Sequence, residues 1–268
     1  MPDLWECRFK NWSMILTRLG NKRRMKTNLV KLFPKHKMRI ELFFGAGGSF
    51  FYLPKPQYCI VNDLDDDVTN LYVVIQNQME EFRRQIEIVP ISETLIKHWK
   101  KNQETDPVKK AVRFIFLSNF TYMGKGDTLR LGLDNAKDSI LLNLFKTFDM
   151  MKNVKIMNRD FREVISKISF SKGLNDKENC FVYLDPVYLD TEHYYKVPNW
   201  KEKDSLDCLD IMVNCGIKAA MSEFDHPFIV AAAEERGLNV IPVKSRANIK
   251  NRRIEILITN YDSNNLFD

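Results

Sequence analysis

The chain has 268 residues, 44% hydrophobic, 28% charged and 12% aromatic, which excludes a disordered protein and suffices for one domain with an insertion. Its formal charge of +6 and pI near 8.9 favour an anionic partner, because neutralising phosphate supplies much of nucleic-acid affinity. No apolar run approaches the ~20 residues of a membrane span, and the start MPDLWECRFK has no signal-peptide core, so a cytoplasmic protein is expected.

Short apolar runs rich in β-branched or aromatic residues predict strands at Arg39–Phe44, Cys59–Asn62, Lys155–Met157, Cys180–Leu184, Lys218–Met221, Asn239–Val243 and Glu255–Asn260. Helical spacing predicts helices at Arg23–Leu32, Asp67–Gln78, Pro107–Ser118, Ile140–Met151, Phe161–Lys167, Leu206–Asn214 and Pro227–Arg236. Their alternation is that of an α/β, doubly wound sheet with crossover helices. Between Met79 and Lys137 the pattern turns helical and then reaches TYMGKGDTLRLG, read as an insertion carrying a hairpin or loop. Polar stretches at Lys97–Pro107 and Ser171–Asn179 read as surface connections, and the last two strands form a hairpin around the basic SRANIKNRR.

Two motifs carry chemistry. Glu41-Leu42-Phe43-Phe44-Gly45-Ala46-Gly47-Gly48-Ser49 is a strand entering a glycine turn and then a helix, and the glycines let backbone approach a ligand. Asn62-Asp63 ends the next strand, where an acid can accept hydrogen bonds from ribose hydroxyls. Neither a full GxGxxG nor a GxxxxGK[ST] loop is present, which disfavours dinucleotides and nucleoside triphosphates and leaves a nucleoside cofactor without phosphate to cradle. The second motif is Asp185-Pro186-Val187-Tyr188, directly after an apolar strand. An aromatic amine is a poor nucleophile, and a carboxylate plus a main-chain carbonyl accepting its two hydrogens favours the attacking form of the nitrogen. Asp185 and the Pro186 carbonyl suit those roles, and Tyr188 offers a stacking face for an extruded base.

In the order of these motifs the chain resembles the Dam-like S-adenosylmethionine-dependent DNA adenine methyltransferases, of the phage Dam type, over nearly its whole length. Thr17-Arg18-Leu19-Gly20-Asn21-Lys22 is similar to the amino-terminal motif, ELFFGAGGSFF with VNDLD to the cofactor pair, and Asn158-Arg159-Asp160-Phe161 to the segment at the cofactor adenine. YLDPVYLDTEHYY resembles the catalytic motif, and RRIEILITNY the closing basic hairpin.

The resemblance implies a Rossmann-like methyltransferase sheet with helices on both faces and an inserted, mainly helical target-recognition subdomain. On that reading the chain is one methyltransferase domain, 1–268, with a cofactor-binding and catalytic core at 1–78 and 137–268 and the insertion at 79–136. S-adenosylmethionine is the implied donor, without a metal. The implied cofactor residues are Lys22, Phe44, Gly45, Ala46, Gly47, Asp63, Asp160, Phe161 and Asp185, and the catalytic ones Asp185, Pro186 and Tyr188. Double-stranded DNA is the implied partner, at Lys22, Lys125, Arg130, Lys250, Arg252 and Arg253, the last three reinforced by Lys244 and Arg246 upstream. A cognate restriction endonuclease is a further partner that such relatives have.

The chain departs from the family pattern at three places. Val187 stands where a second proline is usual, which loosens the turn holding Tyr188. Arg18 and Asn21 occupy two places of the amino-terminal motif, and FLSNFTYMGKGDTLRLG follows the recognition hairpin only in outline. Two alternatives stay open at this stage: methylation of adenine in RNA, or a weakened relative that binds DNA or partner proteins. The five cysteines (Cys7, Cys59, Cys180, Cys208, Cys215) and four histidines (His36, His98, His193, His226) show no metal-ligand spacing, and reduced thiols are expected.

Overall fold

A computed structural model describes residues 14–16, 29, 31–132, 135–170, 176–191, 198–247 and 252–262, with the side chains of 244–247 and 252 outside that description. In chain order the elements are β1 (Met38–Glu41), β2 (Tyr58–Asn62), α1 (Asp66–Ile88), α2 (Glu93–Lys101), α3 (Pro107–Phe120), α4 (Ala136–Met151), β3 (Lys155–Met157), α5 (Phe161–Val164), β4 (Cys180–Leu184), α6 (Glu202–Asn214), β5 (Lys218–Phe224), α7 (Pro227–Glu235), β6 (Asn239–Ala247) and β7 (Arg252–Thr259). The block inserted between β2 and β3 is helical, as the pattern after Met79 predicts, and the strands form one mixed sheet in the order β3-β2-β1-β4-β5-β7-β6. The first five strands run parallel. β7 lies antiparallel to both β5 and β6. This is a Rossmann-like methyltransferase sheet with an inserted helical subdomain.

The chain divides into two compact units, the sheet unit comprising residues 24–44, 56–65 and 155–268 and the helical unit 1–23, 45–55 and 66–154. In the sheet unit, alternation along each strand sends side chains to opposite faces. On one face Met38 and Ile40 of β1, Val182 and Leu184 of β4, Met221 of β5 and Ile256 and Ile258 of β7 meet α6 and α7 through Cys208, Leu209, Met212, Ile229 and Ala233. On the other, Phe181, Ala220 and Leu257 pack against Leu29 and Tyr261, with Leu32 and Phe33 beside them. Leu29, Lys31 and Leu32, within the predicted helix Arg23–Leu32, are helical; the rest of that helix up to Asn28 lies outside the described residues.

Beyond β7, Asn260 clamps three backbone groups: its Oδ1 accepts from the Ala219 amide at 2.7 Å, and its Nδ2 donates to the Met212 and Ile217 carbonyls at 2.7 and 2.8 Å. Leucine there leaves three partly buried backbone groups without this partner. Asn260→Leu is expected to cost about 2 kcal/mol in urea unfolding, at roughly 0.5–1.5 kcal/mol per bond; unchanged stability would show that water replaces the clamp.

In the helical unit α1 packs against α3 and α4. α1 outlasts the predicted Asp67–Gln78 segment, but its backbone leaves helical geometry at Gln78 (φ −139°, ψ 34°) before continuing to Ile88. Asp106 caps α3 by accepting from the Lys109 amide at 2.9 Å, with Pro107 at the first helical position. Lys97–Lys101, predicted as a connection, instead forms the second half of α2. Ser92 caps its start, Ile96 and Trp99 are buried, and the buried Arg113 donates to the Trp99 and Asn102 carbonyls. One buried tryptophan and an end capped from another helix outweigh polar composition. Asp176 opens a 3-10 turn at Lys177–Asn179, the described part of the other predicted connection.

The predicted helix after the glycine motif is absent. Residues 48–52 make successive turns, with the Phe51 amide bonded to the Gly47 carbonyl at 2.9 Å. Pro54 and Pro56 follow at once, removing two amide donors and disfavouring helix for the residues before them. Residues 121–130 close a short hairpin-like loop: Thr121 pairs with Leu129, and the Tyr122 and Arg130 amides bond to the Thr128 and Phe120 carbonyls.

Candidate active site

The carboxyl ends of the parallel strands are where open α/β sheets bind ligands, and there the second face of the sheet changes from apolar to polar. Phe181, Ala220 and Leu257 give way to Glu41 at the end of β1, Tyr183 and then Asp185 on β4 and beyond, Ser222 on β5 and Glu255 on β7. Arg39 and Glu41, two residues apart on one face of β1, form an ion pair at 3.1 Å and are both 1% exposed. The Tyr183 hydroxyl lies 2.7 Å from Ser222 Oγ.

Asp185 follows β4 directly and is half-buried; Pro186 is buried. Tyr188, expected as an open stacking face, is 9% exposed. Its hydroxyl donates to Glu255 Oε1 at 2.6 Å, and its ring meets Phe224 nearly at right angles with centroids 4.8 Å apart. Burial, then the negative charges of Asp185 and Glu255, push its phenol well above the ordinary tyrosine range, so it remains a donor. Beyond it, Thr191 donates to the Tyr188 carbonyl through its amide at 3.2 Å and its hydroxyl at 2.6 Å. Asp190, at φ 56°, accepts from or pairs with His226 Nε2 at 3.2 Å.

Asn62 organises the β2 end. Its Nδ2 donates to the Leu42 and Arg159 carbonyls and its Oδ1 accepts from the Arg159 amide, each at 3.0 Å. Asn158 Nδ2 donates to the Asp63 and Leu64 carbonyls at 2.8 and 3.1 Å. The ends of β1 and β2 and the loop after β3 are thereby stitched together, bringing the segments of Asp63 and Asp160 to one end of the sheet. Asp63 Oδ1 accepts from the Asp65 amide at 2.9 Å.

Asp160 caps α5 by accepting from the Arg162 amide, and its carboxylate pairs with the Arg162 guanidinium at 3.1 Å. The same guanidinium reaches Asp207 at 2.7 Å and Asp204 at 2.5 Å, and lies 4.3 Å from the Phe161 ring centroid. Phe43 and Trp200 complete an aromatic cluster around Phe161 at 5.0 and 5.7 Å. Phe44 is a core residue, 4% exposed, whose amide bonds to the Asn62 carbonyl at 2.8 Å.

In the glycine turn, Gly45 and Gly47 take φ of 54° and 71°, a region that disfavours side chains. A Cβ built on Gly45 would meet nothing within 4 Å, so bare backbone faces open space. Bare backbone with room at Cβ is what close approach by a nucleoside such as that of S-adenosylmethionine requires.

Lys125 and Arg130 are exposed on the 121–130 loop of the helical unit. Arg253 is half-buried on β7, its guanidinium 5.3 Å from the Phe224 ring centroid. Lys22, Lys250 and the side chains of Lys244, Arg246 and Arg252 lie outside the described residues. Sequence reasoning missed Glu255 and Phe224, although a lone acid within the apolar run RRIEILIT was a visible signal.

Residues 19–253 match the profile of D12 class N6 adenine-specific DNA methyltransferases, most of the chain. The chain belongs to this family. The Type II methyltransferase M.MjaIII of Methanocaldococcus jannaschii is 26% identical over 200 residues, 63% of this chain and 66% of the relative. The match thus spans just under two thirds of that relative. The Type II methyltransferase M1.LlaDCHI of Lactococcus lactis subsp. cremoris is 21% identical over 284 residues, 90% and 93% of the two chains. The DNA adenine methylase of Escherichia coli K12 is 25% identical over 111 residues, 39% and 40% of the two. The family is that of S-adenosylmethionine-dependent enzymes that methylate N6 of adenine in DNA. No helix among the described residues is long and apolar enough to cross a membrane.

Proposed function

We propose that the protein methylates adenines within a short sequence in duplex DNA, acting on a base extruded from the helix. The observation that carries this reading is the position of Asp185 to Tyr188. They follow β4 at the carboxyl end of the sheet, and β4 pairs with β1, whose chain continues into the glycine turn.

Asp185 and the Pro186 carbonyl accept the two hydrogens of the adenine amine, turning its lone pair from the ring toward the incoming carbon. Bound S-adenosylmethionine supplies an electrophilic methyl group on a positively charged sulfur. Asp185 would hold, and then take, the proton that the nitrogen loses when it is methylated. Tyr188 flanks the base. The backbone of Gly45 to Gly47 with Phe44 and Ala46, and the side chains of Asp63, Asp160, Phe161 and Lys22, are the proposed cofactor contacts. Asp160 can serve there only while shared with Arg162. Phosphate contacts are assigned to Lys22, Lys125, Arg130, Lys250, Arg252 and Arg253.

Two relatives are named Type II methyltransferases, and a cognate restriction endonuclease is the partner such a role brings. Incubation with tritiated S-adenosylmethionine and unmodified genomic DNA or RNA, followed by sequencing of the labelled positions, tests the reading. Label at adenines within one short DNA motif is expected. Label in RNA alone, or cofactor binding with no label in either, would overturn it.

A further inference from the structure

We infer that Glu255 is a positioning residue for methyl transfer, fixing the Tyr188 ring against the target base through the hydrogen bond from its phenol. This rests on the reading that Tyr188 flanks the base. Glu255 sits in β7 between Ile254 and Ile256 and is 1% exposed. Burying a carboxylate in an apolar strand is costly unless it is well hydrogen-bonded. Packing alone would be better served by another isoleucine. Its Oε1 is 2.6 Å from the Tyr188 hydroxyl.

The register makes this contact part of a larger clamp. Phe224 of β5 is the cross-strand partner of Glu255, and cross-strand neighbours on one face stand side by side. Tyr188 is therefore held at its hydroxyl by one member of the pair and at its ring by the other. At its main chain the carbonyl is held by Thr191. Val187 leaves free a φ that proline would fix. An anchor at the far end of the phenol restrains the ring where the backbone does not.

The test compares Glu255→Leu, Glu255→Gln, Tyr188→Phe and the two double variants with the parent full chain, on unmethylated DNA with saturating S-adenosylmethionine. Cofactor Kd and melting temperature are measured alongside. Misplacing a reacting group by an ångström can cost on the order of a hundredfold, and partial loosening of the ring is expected to cost roughly tenfold in kcat. Glu255→Leu and Tyr188→Phe should each show that loss with cofactor Kd within about twofold, since neither change touches the glycine turn. The double variant should be no slower than the slower single, because both remove one bond. Glu255→Gln, which still accepts through its amide oxygen, should stay within about threefold of the parent.

Multiplicative losses in the double variant, a parental rate in Glu255→Leu, or a Glu255→Gln as slow as Glu255→Leu would each overturn the inference. If Glu255→Leu does not fold, the Tyr188→Phe and Glu255→Gln pair carries the same cycle: a double variant slower than Tyr188→Phe alone overturns it. Tyr188→Ala separates the two levels. Full activity there removes the role of Tyr188 at the base, whereas an inactive Tyr188→Ala with multiplicative losses elsewhere removes only the role of Glu255.

Discussion

Asp185→Ala is expected to lower methyl transfer by on the order of a thousandfold while leaving cofactor affinity within a few-fold of the parent. The amine's hydrogens lose their charged acceptor, and the Pro186 carbonyl alone cannot hold the nitrogen in its attacking form. Alanine creates little disruption, because Asp185 is half-buried at a strand end. Asp185→Asn keeps an acceptor oxygen without the charge and should fall between the two. Single-turnover transfer of tritium to DNA, with cofactor binding followed by calorimetry, measures both quantities. Turnover retained by Asp185→Ala would put the chemistry at another residue.

The second large effect concerns stability. His36 precedes β1 and packs 5.2 Å from the Phe181 ring, with Nδ1 2.7 Å from the Pro34 carbonyl. Burial holds its imidazole down to about 4; the Pro34 bond opposes this and the Arg39 charge adds to it. In the unfolded chain the value is about 6.5. Between those two values the unfolded chain binds a proton that the folded chain refuses, so stability rises with pH across this window. As pH falls from about 7, stability is lost from about 6.5 downward and the loss levels off below about 4. At 1.36 kcal/mol per pH unit the full effect is about 3 kcal/mol. His36→Asn keeps a donor for the Pro34 carbonyl and removes the titration. The stability advantage of the parent over this variant, from denaturant unfolding at a series of pH values, should shrink by that amount between pH 7 and 4. A constant difference would mean that the imidazole is not held neutral.

All seven strands lie where they were predicted, with bounds that differ by a few residues in most. Cys180–Leu184 matches prediction residue for residue, because a central strand buried along its whole length appears as an unbroken apolar run; Lys155–Met157 matches as well, although it is the edge strand. β5 and β7 extend further than predicted, to Phe224 and back to Arg252. The missed residues include Ser222 and Glu223 on β5 and Arg252 and Arg253 on β7, whose polarity hides the strand. Gln78 ended the predicted helix and marks a real interruption, yet tertiary packing carries the helix onward to Ile88 through buried Phe82 and Ile86. The motifs at Asp63 and Asp185 were visible because their chemistry is local to a few residues. What holds Tyr188 was not, since Glu255 lies 67 positions away and only strand register brings it near.

The sheet order also has a consequence for biosynthesis. β7 is late in the chain but sits inside the sheet, hydrogen-bonded on both sides by β5 and β6. While residues up to Ala247 have left the ribosome and the following ones have not, β5 presents a bare edge and β6 has no sheet neighbour. Such edges are templates for intermolecular pairing. Closure of the sheet and delivery of the Tyr188 anchor therefore occur in one late step, so a nascent chain halted before Arg252 is both open to aggregation and without its clamp.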